Sequence, residues 1–166
     1  ARSATLFSAT LHPACFVRDT LGLPRGTVWL DVPSPFRAGQ LAVRIAGGIS
    51  TRYRDRARSV RPIAELLAAQ YGERPGNYLA FFSSHDYLRQ VADAFELGWP
   101  GIPVRRQARA MSEAEQAGFL AGFAPGGRAI GFAVLGGAFA EGVDLPGDRL
   151  VGAFIATLGL PQFNAV

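Results

Sequence analysis

The sequence predicts a three-layer α/β domain, in which a mainly parallel sheet is covered by helices on both faces. Two observations lead to this class. Apolar runs of strand length alternate along the chain with longer segments that have helical spacing. The strand-like runs are also apolar along their whole length. Strands buried on both faces have this composition, and they are typical of parallel sheets with helices on each side.

The predicted strands are apolar runs, some of them rich in β-branched residues, that lead into turn residues. They are residues 4–11, 27–32, 41–46, 77–82, 101–107, 129–135 and 150–158. In parallel sheets, ligands bind at loops beyond the carboxyl ends of the strands. The chemically suggestive loops at such ends are residues 8–10, 83–85 and 136–147.

Helices are predicted between these strands, at residues 14–21, 52–71, 85–97 and 112–123. The first is expected to end at Gly22. The second carries apolar residues at the i, i+3, i+4 and i+7 positions, with Pro62 expected in its first turn, where a missing N–H costs nothing. The last begins with a capping-box pattern from Ser112 to Glu115.

The composition excludes several classes of protein. With 166 residues, the chain fits a single domain over its whole length. Its content of 49 % hydrophobic and 18 % charged residues excludes a disordered chain. The single cysteine, Cys15, excludes an internal disulfide and an iron–sulfur cluster held by this chain. We expect Cys15 to be an inert core thiol in a protein from a reducing compartment.

The chain shows no targeting or membrane signal. Its first residues lack the basic start and apolar run of a signal peptide. The longest uncharged stretch, residues 150–166, contains Gly, Pro, Gln and Asn and is a poor membrane span. We therefore expect no membrane partner and a cytoplasmic location. Because the chain starts without Met and stops within an unfinished element, we expect a piece of a longer protein.

The charge balance permits a polyanionic partner. The chain has 17 basic and 13 acidic residues, a net charge of +4, and every basic residue is Arg. Five arginines fall within residues 52–61, with Tyr53 among them. Arginines next to an aromatic ring can hold a nucleic-acid backbone and stack a base. The alternative for this run is a solvated loop and helix start.

Residues 136–147 form a glycine-rich loop after an apolar strand. Glycines let the backbone approach a phosphate, and their N–H groups can surround an anion. Glu141 and Asp144 lie three residues apart in this loop and can accept hydrogen bonds from a ribose, an Arg or metal-bound water. The alternative is a glycine-rich turn with solvated acids.

Ser83 and Ser84 lie between a predicted strand and a predicted helix. Hydroxyls and free N–H groups at a helix N-terminus suit a phosphate, although an ordinary helix cap has the same pattern.

The chain has no H-E-x-x-H or C-x-x-C motif, so we predict no metal site. It contains no lysine, and therefore no G-x-x-x-x-G-K-[ST] phosphate loop.

Taken in order, these segments resemble the motifs of superfamily 2 helicases. Residues 6–11 (Leu-Phe-Ser-Ala-Thr-Leu) resemble motif III, and residues 78–84 resemble motif IV. Residues 136–147 resemble motif V of the XPD/DinG-type branch, whose Glu-Gly-Val-Asp core stands here at 141–144. Residues 33–36 (Pro-Ser-Pro-Phe) resemble a segment of DinG-like members. The resemblance spans essentially the whole chain.

The resemblance implies that the chain is most of the second RecA-like (P-loop NTPase-like) domain of an ATP-dependent DNA helicase, truncated at its C-terminus. Such enzymes hydrolyse ATP to move along single-stranded DNA and unwind duplexes in DNA repair or replication. The first helicase domain of the same chain would be a partner and would supply the phosphate loop and the Mg-binding residues. ATP and Mg would be cofactors of the longer protein, with none expected on this chain alone. Any iron–sulfur cluster would lie elsewhere in that protein.

The resemblance also implies roles for single residues. It assigns catalytic roles to Glu141 and Asp144 and places Gly137 and Gly142 in the nucleotide cleft. Ser8 and Thr10 would couple the nucleotide state to the grip on DNA. The residues expected to bind DNA are Ser83, Ser84, Arg52 and Arg54. Because the arginine fingers of motif VI and the phosphate loop are missing, we expect no ATP hydrolysis by this chain alone. The alternative function is a stand-alone nucleotide- or phosphate-binding α/β module that uses the glycine-rich loop.

Overall fold

The computed structural model of the chain describes residues 3–140 and 142–157. The chain divides into two compact units, Ala1–Arg44 and Ile45–Val166. None of the helices in the described ranges is both long and apolar enough to span a membrane.

The unit Ala1–Arg44 contains one α-helix within its described residues, α1 (Ala14–Leu21), as the sequence predicts. The helix ends at Gly22, which has a φ of 61°, a left-handed conformation that favours glycine. The side chain of Arg18 donates a hydrogen bond to the carbonyl of Thr27 at 3.2 Å and lies 5.5 Å from the ring centroid of Trp29. These contacts join the helix to the segment that follows it.

Three strand predictions are wrong. No described residue belongs to a strand in the ranges 4–11, 27–32 and 41–46. Their composition favours extended backbone, but a strand also needs a partner for its hydrogen bonds. Their apolar side chains are exposed, with Val28 at 90 % and Val43 at 73 %. Cys15 is likewise exposed and does not lie in the core that the sequence suggests.

The unit Ile45–Val166 contains a sheet with helices, which accounts for the predicted fold class. In the described residues its elements are α2 (Arg56–Glu73), β1 (Tyr78–Phe82), α3 (His85–Gly98), β2 (Val104–Arg106), α4 (Glu113–Ala121), β3 (Ile130–Val134) and β4 (Gly152–Ala156). The four strands lie in the order β2-β3-β1-β4, and every pair is parallel. The predicted α/β class with a parallel sheet is thus confirmed.

The connections explain why the domain has three layers. The chain runs from β1 through α3 to β2, passing β3, and returns from β2 through α4 to β3. Crossovers between parallel strands are right-handed, so two crossovers in opposite directions place their helices on opposite faces of the sheet. In agreement, the buried residues form two separate clusters, one against α2 and α3 and the other against α4.

The larger cluster is an aromatic layer between the sheet and α2 and α3. Phe82 of β1 stacks on Phe132 of β3, with ring centroids 5.7 Å apart and planes within 5°. Phe95 of α3 packs on the same Phe132 at 5.9 Å, and all three side chains are fully buried. Burying a side chain of this size contributes roughly 1.5–3 kcal/mol.

The smaller cluster lies on the opposite face, where Phe119 of α4 and Phe123, just after the end of α4, cover Leu79 and Ala133. Gly131 of β3 makes this contact possible. A Cβ atom at Gly131 would lie 2.5 Å from the ring of Phe123, closer than real side chains allow. The absence of a side chain therefore lets α4 approach the sheet.

The start of α2 differs from the prediction. The helix begins at Arg56, so Pro62 lies in its interior and not in its first turn. Pro62 cannot donate the usual helical hydrogen bond. The turns before it are held by tertiary contacts that local spacing does not reveal. Ser59 is buried, and its hydroxyl pairs with that of Tyr87 on α3 at 2.5 Å.

The predicted capping box at α4 is confirmed. The backbone N–H of Glu115 donates to Oγ of Ser112 at 3.3 Å, and the backbone N–H of Ser112 donates to a carboxylate oxygen of Glu115 at 2.7 Å. The hydrogen bonds from the backbone and hydroxyl of Ser112 lower the pKa of the Glu115 carboxyl.

Replacing Asn77 with Ala is expected to lower the free energy of unfolding by about 2–4 kcal/mol. Asn77 is fully buried, its Nδ2 donates to the carbonyl of Ala124 at 2.8 Å, and its Oδ1 accepts from the N–H of Ala129 at 3.3 Å. The substitution leaves both backbone groups without this partner. Urea unfolding followed by circular dichroism measures the effect.

The exposed Gln90 of α3 offers a control, because its replacement by Ala is expected to change the same free energy by less than about 0.5 kcal/mol. If the urea unfolding curves of the Asn77 variant and the unchanged protein have equal midpoints and slopes, the Asn77 side chain does not stabilise the sheet.

Candidate functional site

The carboxyl ends of the parallel strands bring two predicted loops together. Phe82 at the end of β1 pairs with Val134 at the end of β3. The N–H of Leu135 donates to the carbonyl of Phe82 at 2.8 Å, which extends the ladder by one residue. The loop that follows β1 from Ser83 (the serine loop, residues 83–85) and the glycine-rich loop that starts at Gly136 therefore begin side by side.

Ser8 and Thr10, the predicted coupling residues, lie in the other unit. Both are exposed, and their hydroxyl oxygens are 3.2 Å apart. The N–H of Thr10 donates to Oγ of Ser8 at 3.2 Å, so the pair forms a local turn. Their coupling role stays a prediction.

Gln107 fixes the start of the glycine-rich loop, a role that sequence reasoning missed. Its backbone N–H donates to the carbonyl of Phe132 at 2.9 Å, and its side-chain Oε1 accepts from the N–H of Val134 at 2.7 Å. The side chain thus continues the pairing of β3 beyond the last residue of β2. A Cβ atom at Gly137 would lie 3.2 Å from Nε2 of Gln107, so glycine suits this close approach. The available signal was a polar residue at the end of a predicted strand.

The glycine-rich loop is anchored by one aromatic side chain. Phe139 is 2 % exposed and stacks on Phe119 of α4, with ring centroids 4.4 Å apart. Gly136 and Gly142 have φ angles of 80° and 71°, which permit the turns on either side of this anchor. Asp144 is exposed further along the loop. Glu141 lies outside the described residues.

A cleft of about 370 Å³ opens beside this loop. Its lining includes His85 at the start of α3, Gln107, Arg109 and the loop residues Gly136 and Gly137. Polar groups from three separate segments therefore converge on one open space at the carboxyl edge. In the ranges that the structure describes, no three His, Cys, Asp or Glu side chains come together as a metal site would require.

Arg56 connects the basic run to the serine loop. Its Nη2 donates to Oγ of Ser83 at 2.8 Å. Its guanidinium carbon lies 5.1 Å from the ring centroid of Tyr53 and 5.3 Å from that of Tyr87. Burial raises the pKa of Tyr87, while the hydrogen bond with Ser59 and the charge of Arg56 oppose this shift.

The two predicted serines differ in their contacts. Oγ of Ser84 accepts a hydrogen bond from the N–H of Tyr87 at 3.2 Å, so Ser84 is the N-cap of α3. Ser83 is exposed and bonds to Arg56 instead. Ser84 is therefore an ordinary helix cap, which is the alternative interpretation that the sequence left open for the two serines.

Arg52 and Arg54, the predicted DNA-binding arginines, are exposed on either side of Tyr53. Nε of Arg54 lies 4.0 Å from a carboxylate oxygen of Asp55. Sequence reasoning included Arg56 in the basic run but did not single it out. Its contact with Ser83 joins residues 27 positions apart, which no local pattern indicates.

The fold and its loops define a RecA-like α/β domain whose polar residues gather at the carboxyl edge of the sheet. Residues 67–166 match the Helicase C-terminal domain family, and the chain belongs to that family. The matched residues include the serine loop and the glycine-rich loop. Membership implies a helicase-type role and nucleic-acid binding. No curated protein matches the chain.

Replacing Gly136 with Ala is expected to lower the free energy of unfolding by about 1–2 kcal/mol, because its φ of 80° is unfavourable for a residue with a Cβ atom. Gly101 is the matched control, since a Cβ atom at either glycine would meet no atom within 4 Å and only Gly136 has a positive φ. Urea unfolding of both variants measures the difference. An equal effect at the two positions would exclude backbone strain as the cause.

Proposed function

We propose that this chain is part of an XPD/DinG-type ATP-dependent DNA helicase and forms most of its second helicase domain. The observation that carries the proposal is the family match over residues 67–166. The Glu-Gly-Val-Asp core at 141–144, within the loop beyond β3, favours the XPD/DinG-type branch. The enzyme would couple ATP hydrolysis to movement along single-stranded DNA and to unwinding, in DNA repair or replication.

The glycine-rich loop supplies one wall of the nucleotide cleft in this proposal. Gly137, Gly142, Glu141 and Asp144 belong to this wall, and Ser8 and Thr10 couple the nucleotide state to the grip on DNA. Hydrolysis of ATP needs cationic groups around the transferred phosphate, from Lys and Mg and from Arg. The chain contains no lysine and so no phosphate-loop lysine, and in this proposal the first helicase domain supplies both the phosphate loop and the Mg-binding residues.

The serine loop and the basic run supply the surface for DNA. Ser83 offers a hydroxyl donor just after β1, and the exposed Arg52 and Arg54 offer two positive charges in the segment before α2. Arg56 ties this group together through its contacts with Ser83 and Tyr53. Phosphate contacts of this kind give affinity that falls steeply with salt.

The isolated chain is expected to bind single-stranded DNA in a salt-sensitive manner. Replacing Arg52 and Arg54 together with Gln should weaken binding several-fold and reduce the slope of log affinity against log salt by about 1.4, or about 0.7 for each phosphate that is no longer neutralised. Fluorescence anisotropy of labelled single-stranded DNA at several salt concentrations measures both quantities.

Arg74 and Arg128 provide a matched control for this charge change. Both are exposed near the amino ends of β1 and β3, at the opposite edge of the sheet. Replacing them together with Gln removes the same charge and should leave the salt slope unchanged. An equal loss of affinity in both double variants would indicate attraction by net charge alone and contradict the proposed surface.

In the helicase that carries this domain, Asp144→Asn and Glu141→Gln are each expected to lower DNA-stimulated ATP hydrolysis by roughly 100- to 1,000-fold, the scale of removing one positioned polar group from a catalytic site. Glu113→Gln, at an exposed position of α4, is the control and should not change turnover. Turnover by all three variants at the unchanged rate would remove Asp144 and Glu141 from the site.

A stand-alone nucleotide-binding module is the second candidate, and the open cleft beside Gly136 and Gly137 favours it. Calorimetric titration of the isolated chain with ATP and ADP separates the two. Saturable micromolar binding would support the module, whereas DNA binding without nucleotide binding would support the helicase domain.

A further inference from the structure

Tyr53 is an exposed aromatic residue with a cation beneath its ring. It lies in a short 3₁₀ turn, Tyr53–Asp55, directly before α2. Its surface is 85 % exposed, and the guanidinium carbon of Arg56 lies 5.1 Å from the ring centroid. One face of the ring is therefore supported by Arg56, and most of the remaining surface is open to solvent.

Arg56 is itself held firmly. Its guanidinium also lies 5.3 Å from the ring centroid of Tyr87, which is 1 % exposed. One of its nitrogens bonds to Ser83, while Nε is buried and has no hydrogen-bond partner among the described residues. The buried Tyr87, whose hydroxyl pairs with Ser59, therefore forms a fixed base under the exposed ring.

The surroundings of Tyr53 suit one class of ligand. Aromatic rings stack nucleobases of any sequence, and neighbouring cations meet the phosphates on either side. Arg52 and Arg54 are the sequence neighbours of Tyr53 and are both exposed, while Arg56 links the ring to the exposed Ser83 beyond β1. An aromatic face, two flanking charges and a hydroxyl donor thus belong to one connected surface.

We propose that Tyr53 is a stacking platform for a nucleobase of single-stranded DNA, and that Arg56 is the positioning residue that orients its ring. Arg52 and Arg54 contact the phosphates next to the stacked nucleotide. This inference rests on the proposed DNA-binding function and adds to it a contact with a base. Because stacking does not read hydrogen-bonding groups, the platform accepts any base.

The test compares a short oligothymidine with an abasic strand of the same length, which keeps the phosphates but lacks the bases. Anisotropy titrations at one low salt concentration give the ratio of the two affinities. Tyr53→Ala is expected to weaken binding to oligothymidine about tenfold, the scale of removing one aromatic ring from beneath a stacked base. It should change binding to the abasic strand by less than twofold. Tyr53→Phe, which keeps the ring, should retain the ratio.

Two further variants separate stacking from other effects. Tyr53→Leu keeps an apolar cover over Arg56 without a flat ring, so it should behave like Tyr53→Ala. Arg56→Gln should reduce the affinity ratio in the same direction, because the ring remains but loses its support. Arg52→Gln with Arg54→Gln should weaken binding to both strands and leave the ratio unchanged.

Each contrary result has a distinct meaning. If Tyr53→Ala weakens binding to both strands equally, or if Tyr53→Leu retains the ratio, stacking is overturned. If the unchanged chain binds both strands equally and the double arginine variant weakens both, stacking fails while the proposed DNA surface stands. If the unchanged chain binds neither strand at low salt, the proposed DNA surface fails, and the platform fails with it.

Discussion

The parallel pairing of β1 with both of its neighbours is the constraint on which the rest of this domain depends. β1 pairs with β3 on one side and β4 on the other, so its side chains face two helical layers and must be apolar on both faces. The same pairing sets Phe82 beside Val134 and directs the following loops to one edge. A shift in this register would separate the serine loop from the glycine-rich loop.

Packing on the second face links the glycine-rich loop to the core. The loop leaves the sheet after β3, but Phe139 returns it to the surface of α4 through its contact with Phe119. Gln107 holds the first residues of the loop with a side-chain hydrogen bond. Two side chains, Gln107 and Phe139, therefore hold the first residues of the glycine-rich segment in place.

Electrostatic contacts distinguish the arginines of this basic chain. Burial lowers the pKa of Arg106, but hydrogen bonds and charges from Asp93 and Glu96 raise it by more, so the net shift is upward. Its guanidinium lies 2.5 Å from Asp93 and 2.7 Å from Glu96, which ties β2 to α3. Arg52 and Arg54 are exposed instead, and their position beside Tyr53 makes them the better candidates for contact with phosphates.

Local periodicity and turn chemistry were enough to predict the α/β class, the four strands that form the sheet, the capping box of α4 and the loops that follow β1 and β3. Tertiary structure decided which strand-like segments pair, since residues 27–32 have a strand composition but no partner in the described ranges. It also decided that Arg56 reaches Ser83 and that Gln107 supports the glycine-rich loop. These contacts join residues far apart in the chain, and their geometry exists only after the sheet has formed.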